Sequence, residues 1–250
     1  MAGAQPETQK LDNEVRVSAR EITRQSTLDV EVYTAAELLD LNRTSPKVVA
    51  AASSVVNRAF AEFHHAIVGP EWDGPGPRYF SDAQIVEELG QHGRCCIIFA
   101  YEDTESGGRQ KVPVVVASIK PYDVALNFKA LGKEPEGWAK HLEQPAPQDI
   151  KDWELSAVAV KQDPKYLGRG LAMLAVKRLE DAVLQQCRLS SNGEENVKLT
   201  IWSRTIKECN DGYWERRGFK HFSEVLYETG TFGSIRPFLF ETLRKDIRLN

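Results

Sequence analysis

Gly168 and Gly170 stand between an apolar run, Trp153 to Val160 (WELSAVAV), and a helix-patterned run that opens at Leu171. A strand, a glycine-bearing turn and a helix in immediate succession can cradle a phosphate. The first amides of a helix have no intrahelical acceptor and lie at the positive end of the macrodipole, so a pyrophosphate placed there needs no separate cationic pocket. Glycine lets the backbone approach such an anion closely. The same pair also arises as ordinary turn chemistry, and the surrounding residues have to decide. Met173 stands where a dinucleotide fingerprint needs a third small residue. Gly170 is followed by Leu171 and Ala172 rather than by Lys and a hydroxyl residue, so no P-loop ligand for magnesium is present and ATP or GTP chemistry is disfavoured.

The run Lys165-Tyr166-Leu167-Gly168-Arg169-Gly170 resembles the acyl-CoA loop of the GNAT superfamily of N-acetyltransferases, whose pattern is Gln or Arg, two residues, Gly, any residue, then Gly or Ala. Lys165 departs from the first position, though a cation beside a pyrophosphate remains chemically sensible. Downstream, Tyr213-Trp214-Glu215-Arg216-Arg217-Gly218-Phe219 resembles the aromatic pair and Gly-Phe that close the family's domain. The motifs come in the family's order, with a strand candidate, Val197 to Ser203, between them. The resemblance implies acetyl-CoA as cosubstrate. It would lie along Val158, Ala159 and Val160 and on the turn formed by Lys165, Tyr166, Leu167, Gly168, Arg169, Gly170, Leu171 and Ala172, with Trp214 along the pantetheine or acceptor channel. In this fold the strand before the loop parts from its parallel neighbour. The pantetheine arm adds to the freed edge as an extra strand, and one amide there holds the thioester carbonyl. The long segment before Glu154 and the tryptophan at 214 look more like divergent fungal members than like the standard histone-modifying enzymes.

Acetyl transfer to an amine needs a neutral nucleophile, donors for a developing oxyanion and a route for the thiolate to leave. Counting back from Gly168, Glu154 falls where the histone-acetylating branch of the family carries its general base, with no insertion or deletion. Strand alternation puts Glu154 on the face of Ser156, Val158 and Val160. Trp153 and Leu155 beside it imply partial desolvation, which favours proton uptake. The plain alternative is a solvated carboxylate at the start of a strand. Many family members place a tyrosine four residues before the Gly of Gly-Phe to protonate the thiolate; this chain has Trp214 there, and indole is no acid. Tyr213, water or unassisted departure remain, the last acceptable for a thiol of pKa about 8.5. Glu71 and Asp73, in a loop that commonly borders the family's acceptor site, either recognise an ammonium group or are solvated. His64 and His65 fit the C-terminus of a helix, where a cation meets the negative end of the dipole, better than catalysis, and Arg216 and Arg217 read as an exposed basic pair.

The elements that must hold these groups follow from periodicity. A polar tail from 1 to 27 precedes a strand at Leu28 to Tyr33. Ser45-Pro46 opens a first helix whose apolar positions run to Phe63. Ser81-Asp82-Ala83-Gln84 has the form of a capping box for a second helix ending near Leu89. Cys95 to Tyr101 and Val112 to Ile119 form a hairpin. The Pro-bearing stretch from 121 to 152 is longer than a usual connection and reads as an insertion or cover within one domain spanning 28 to 250. The strand at Val197 runs parallel to that at Trp153, because a helical crossover joins them. A fourth helix from Cys209 to Arg217 and strands at Phe222 to Glu228 and Pro237 to Leu243 complete an α/β fold: a mixed, strongly twisted sheet of about seven strands with about four helices.

With 250 residues, 42% hydrophobic and 27% charged, the chain can bury a sizeable core. A net charge of -4 gives no electrostatic footprint for nucleic acid. It suits, if anything, a cationic amine. Cys95, Cys96, Cys187 and Cys209 lack metal-ligand spacing and a disulfide pattern, which points to the reducing cytoplasm. No apolar run approaches the length of a membrane span, and no metal is implied. The expected activity is direct transfer of an acetyl group from acetyl-CoA to a primary amine of a small molecule through a ternary complex. The rivals are a non-catalytic acyl-CoA-binding module, for which the missing tyrosine argues, and peptide or histone lysine acetylation.

Overall fold

The computed structural model describes residues 28–68, 78–104, 106–122, 150–190, 198–210, 212–229, 234 and 236–248. The tail, most of the 121–152 insertion and the Glu71 and Asp73 loop lie outside the described residues. Seven strands form one mixed sheet in the order β1-β2-β3-β4-β5-β7-β6. They are β1 (Asp29–Thr34), β2 (Arg94–Asp103), β3 (Arg109–Pro121), β4 (Asp152–Val160), β5 (Lys198–Ile206), β6 (Lys220–Tyr227) and β7 (Phe238–Arg248). The helices are α1 (Ala35–Thr44), α2 (Pro46–Val68), α3 (Gln84–Leu89), α4 (Leu171–Ser190) and the single turn α5 (Lys207–Asn210). Among the described strands only β4 and β5 pair in parallel, and α4 is the crossover between them.

Each face of the sheet has its own buried cluster. Leu171, Ala175, Val176, Leu179 and Val183 of α4 repeat every three or four residues, and this stripe packs on Trp153, Leu155, Leu199, Ile201 and Leu243. On the other face Leu38 of α1, Val49, Ala52 and Val56 of α2 and Ile85 and Leu89 of α3 pack on Ile97, Val116, Ala157 and Ala159.

Four expectations about elements need correcting. Helix α1 was not foreseen, although Thr34 and Glu37 form a complete capping box at its start. At α3 the Ser81 hydroxyl caps nothing: the helix starts at Gln84, whose side chain accepts from the backbone amides of Phe80 and Ser81. The first helix continues past His64 and His65 to Val68. The expected helix from Cys209 to Arg217 is broken into α5 and a 3-10 turn, Glu215–Arg217, because Gly212 sits at φ 69 between them, outside the helical region.

Candidate active site

The decisive feature is a fork in the sheet. Strand β4 pairs with β5 only from Asp152 to Leu155, opposite Thr200 to Ser203, while its pairing with β3 continues to Val160. Beyond the fork β5 keeps its antiparallel partner β7 through Ile206, so β4 and β5 both continue as strands with a gap between them. The Lys161 amide donates to Val114 O of β3 at 2.8 Å. Alternation along the strand then turns the amides of Val158 and Val160 away from β3, toward the gap. The Val160 carbonyl accepts from the Gln162 side chain at 2.9 Å, a side chain standing where a strand neighbour would be.

The register also shifts at this point. Ile119 pairs with Leu155 but Ser118 pairs with Ala157, so Ser156 is an extra residue, a β-bulge stitched by a 2.9 Å contact between the hydroxyls of Ser118 and Ser156. A bulge reverses the parity of the residues beyond it. Val158 and Val160 therefore pack on the α4 side with Trp153 and Leu155, whereas Glu154 faces the α2 and α3 side together with Ala157 and Ala159. The expected common face of Glu154, Val158 and Val160 is overturned, since unbroken alternation does not hold through a bulge.

Glu154 is buried, 4% exposed, so it is no solvated strand-start carboxylate. Arg204, on β5 just beyond the fork, donates from Nε to its Oε1 at 2.6 Å, and Nη2 of the same guanidinium is ion-paired with that oxygen at 2.6 Å. The other oxygen, Oε2, has no hydrogen-bond partner, and the Lys120 ammonium stands 3.8 Å from it. Lys120 lies 3.5 Å from Glu88 of α3, which also pairs with Arg78 and accepts from Tyr79 Oη at 2.9 Å. Arg78 in turn donates to the carbonyl of the bulged Ser156 at 3.4 Å. One charged network thus joins α3, β3, β4 and β5 around the fork, a grouping that the sequence alone did not reveal.

At the far end of β4 the chain turns through Lys161 to Gly170 into α4. Gly168 and Gly170 take φ 67 and 73, the left-handed region that favours glycine, and a Cβ added at Gly168 would meet nothing within 4 Å. The Leu174 amide is bonded to Gly170 O at 3.0 Å, the earliest bond along α4, so the amides of Leu171, Ala172 and Met173 have no helix carbonyl within reach. Leu167, Gly168 and Arg169 are exposed, while Tyr166 and Leu171 are buried and anchor the turn.

Lys165 is ion-paired within the protein: its ammonium stands 2.9 Å from Glu102 of β2, which also accepts from Lys161 at 2.8 Å and from Tyr166 Oη at 2.9 Å. Desolvation pushes the Glu102 carboxyl up, but the hydrogen bonds from Lys161, Lys165 and Tyr166 outweigh it and bring the group down to about 2. Burial and the neighbouring carboxylate push the Tyr166 phenol up to about 12. A depressed carboxyl stabilises the fold above its ordinary value of 4.5 and loses that contribution as pH falls toward about 2. Thermal melts of Glu102→Gln should therefore lie below the parent near neutral pH and converge with it at about pH 2. A gap that stays constant across that window would show that Glu102 does not tether the turn by its charge.

Trp214 is buried in the α4-side cluster, edge-on to Tyr213 and Phe219 at 5.1 Å from each. Tyr213 lies in the turn before the 3-10 helix, and burial pushes its phenol up against the opposing pull of Arg217. The Arg217 guanidinium sits 3.4 Å from the Tyr213 ring centre and donates to the Tyr213 carbonyl at 2.6 Å. Arg217 is therefore a half-buried clamp on this turn, not a member of an exposed basic pair. The four cysteines are buried and free; burial raises the thiols of Cys96 and Cys209 to about 12. Among the described residues no group of His, Cys, Asp and Glu could hold a metal ion, and no helix is long and apolar enough to cross a membrane.

No family model and no curated protein matches the sequence. Among solved structures the chain is similar to the ribosomal-protein-S18-alanine N-acetyltransferase of Escherichia coli, at 12% identity over 89% of this chain and 95% of that one, with a TM-score of 0.47. It is also similar to yncA of Salmonella typhimurium, solved with its cofactor acetyl-CoA, at 13% identity over 90% and 95% of the two chains and a TM-score of 0.44. An agmatine N-acetyltransferase matches at 12% identity over 88% and 100%, with a TM-score of 0.46. At these identities and overlaps the likeness decides nothing by itself; fold and site rest on the strand pairing and contacts above.

Proposed function

We propose that the chain is a GNAT-type N-acetyltransferase that moves an acetyl group from acetyl-CoA to a primary amine of a small molecule. The observation that carries this reading is the fork: β4 leaves β5 beside a glycine turn and a helix N-terminus, with a buried carboxylate at the point of divergence. The residues present fit an acyl-CoA. Val158 and Val160 offer outward backbone groups to an extended amide chain, with Ala159 between them paired to β3. Gly168, Arg169, Gly170, Leu171 and Ala172 present an open turn and unbonded helix amides to a pyrophosphate. When bound, the cosubstrate supplies a thioester-activated acetyl group.

The protein's own share of the chemistry is positional and acid-base. Glu154 Oε1 is fixed by Arg204, which leaves Oε2 as the proton acceptor for the incoming amine, directly or through one water. An amide of the freed β4 edge would polarise the acyl carbonyl. Tyr213 is the candidate acid for the departing thiolate, and its raised phenol makes water or unassisted departure the competing routes. Four free buried cysteines are in keeping with a cytoplasmic setting.

Calorimetry with acetyl-CoA, followed by thiol release across amine acceptors, tests the reading. Binding together with acceptor-dependent release is expected. Binding without release from any acceptor would instead favour a non-catalytic acyl-CoA module, the reading to which Trp214 at the tyrosine position points. Absence of binding ends both.

A further inference from the structure

We propose that the acceptor is an α-amino carboxylate: a free amino acid or a close analogue whose amine and acid are separated by one carbon. The inference rests on the acetyl-transfer reading and deepens it. Its basis is the surroundings of the unbonded oxygen of Glu154.

Three cations and two carboxylates make up the network at the fork, and the cations are the more exposed members. The side chains of Arg78, Lys120 and Arg204 are 32%, 21% and 21% exposed, against 16% for Glu88 and 5% for Glu154. A molecule arriving at Glu154 therefore meets positive charge, although the whole chain carries a net charge of -4. A polyamine would be repelled here, and an amine that brings its own negative charge would be drawn in.

Lys120 narrows the class. Its ammonium meets its two carboxylate neighbours only at length, donating to Glu88 Oε1 at 3.5 Å and standing 3.8 Å from Glu154 Oε2, against roughly 2.7 to 2.9 Å for a close charge-assisted bond. Arg204, by contrast, holds Glu154 Oε1 closely at 2.6 Å. An ammonium held by one long bond, 3.8 Å from a carboxylate oxygen that is shielded from solvent and has no hydrogen-bond partner, becomes a two-point receptor for a group that enters between them. The oxygen takes the proton of an amine, and the ammonium takes a carboxylate. So short a spacing fits an amine and an acid on the same carbon, and it excludes acceptors whose acid lies at the far end of a long chain. Arg78, also partly exposed, backs the same side of the site.

The test compares matched acceptors by thiol release from acetyl-CoA: a series of free amino acids, their carboxamides and their decarboxylated amines. The acids should have a kcat/KM about tenfold or more above the carboxamides, the worth of one charge-assisted hydrogen bond, with the difference residing in KM. Lys120→Met should bring that ratio close to unity, and Arg78→Gln should reduce it in part. Because the readout is a ratio of two substrates on one variant, a general loss of rate cancels. The inference is overturned if carboxamides or decarboxylated amines serve as well as the acids, or if Lys120→Met keeps the parent ratio while still binding acetyl-CoA. Release from no acceptor of any charge overturns the transfer reading itself, and the inference with it.

Discussion

Replacing Glu154 by Gln is expected to lower turnover about 10²- to 10⁴-fold, the usual cost of losing a general base, while acetyl-CoA affinity is unchanged. Gln is the informative replacement because its carbonyl oxygen can still accept from Arg204, which keeps the cross-fork pairing that Oε1 now makes. Alanine would strand a largely buried guanidinium, and breaking one side of a buried ion pair costs about 3–5 kcal/mol, so a fall in rate would be confounded with a fall in stability. What Gln cannot do is take a proton at the Oε2 position, where the structure leaves the lone pairs unbonded. The measurement is steady-state rate against pH with a confirmed acceptor. Most of the parent rate should be gone in the variant at every pH at which it stays folded. A variant that keeps the parent rate across that range makes Glu154 a structural partner of Arg204 and places the base elsewhere.

The parts of this site that were legible in the sequence are those fixed by local pattern. The strand at Trp153, the turn with two glycines and the helix at Leu171 are contiguous, and each announces itself by period or by glycine, so their order and the parallel crossover to β5 follow from the chain alone. The position of Glu154 was readable for the same reason. Its orientation was not, because one inserted residue at Ser156 reverses every side chain beyond it, and nothing in the run WELSAVAV distinguishes a bulged strand from a regular one. The small, hydroxyl-bearing Ser156 opposite Ser118 is the only trace the bulge leaves in composition, and it becomes a signal only once the register is known.

Long-range pairing accounts for the remaining misses. Arg204, Lys120, Glu88 and Arg78 come from four separate stretches, and each read singly is an ordinary surface charge; their meeting is a property of the sheet order. The apolar residues flanking Glu154 are visible in the sequence, but the two cations beside it come from adjacent strands and are not. The ion pair of Lys165 is likewise invisible in the sequence, since its partner Glu102 lies on β2, remote along the chain. Helix α1 is different: its capping box, Thr34 to Glu37, is present in the sequence but is overshadowed by the stronger Ser-Pro signal just beyond it.

Gly170→Val is expected to weaken acetyl-CoA binding about a hundredfold or more, the equivalent of losing one or two charge-assisted hydrogen bonds to the pyrophosphate. The reason is geometric. Gly170 holds φ 73 directly ahead of α4, a conformation that costs an L-residue about 1–2 kcal/mol and a β-branched one more, so valine will shift the turn toward ordinary dihedrals. That shift re-aims the amides of Leu171 and Ala172, the donors an anion would use. Gly168→Ala provides the comparison, because it carries similar backbone strain at φ 67 but adds a methyl group into open space within the protein. If the turn is the pyrophosphate site, alanine at 168 will also reduce affinity beyond what its stability loss explains, because the space that is empty in the protein is where the ligand lies. Calorimetry on both folded variants, with melts to register the strain separately, decides the matter. Parent affinity in a folded Gly170→Val protein would remove the anion site from this turn and with it the basis for the acyl-CoA reading.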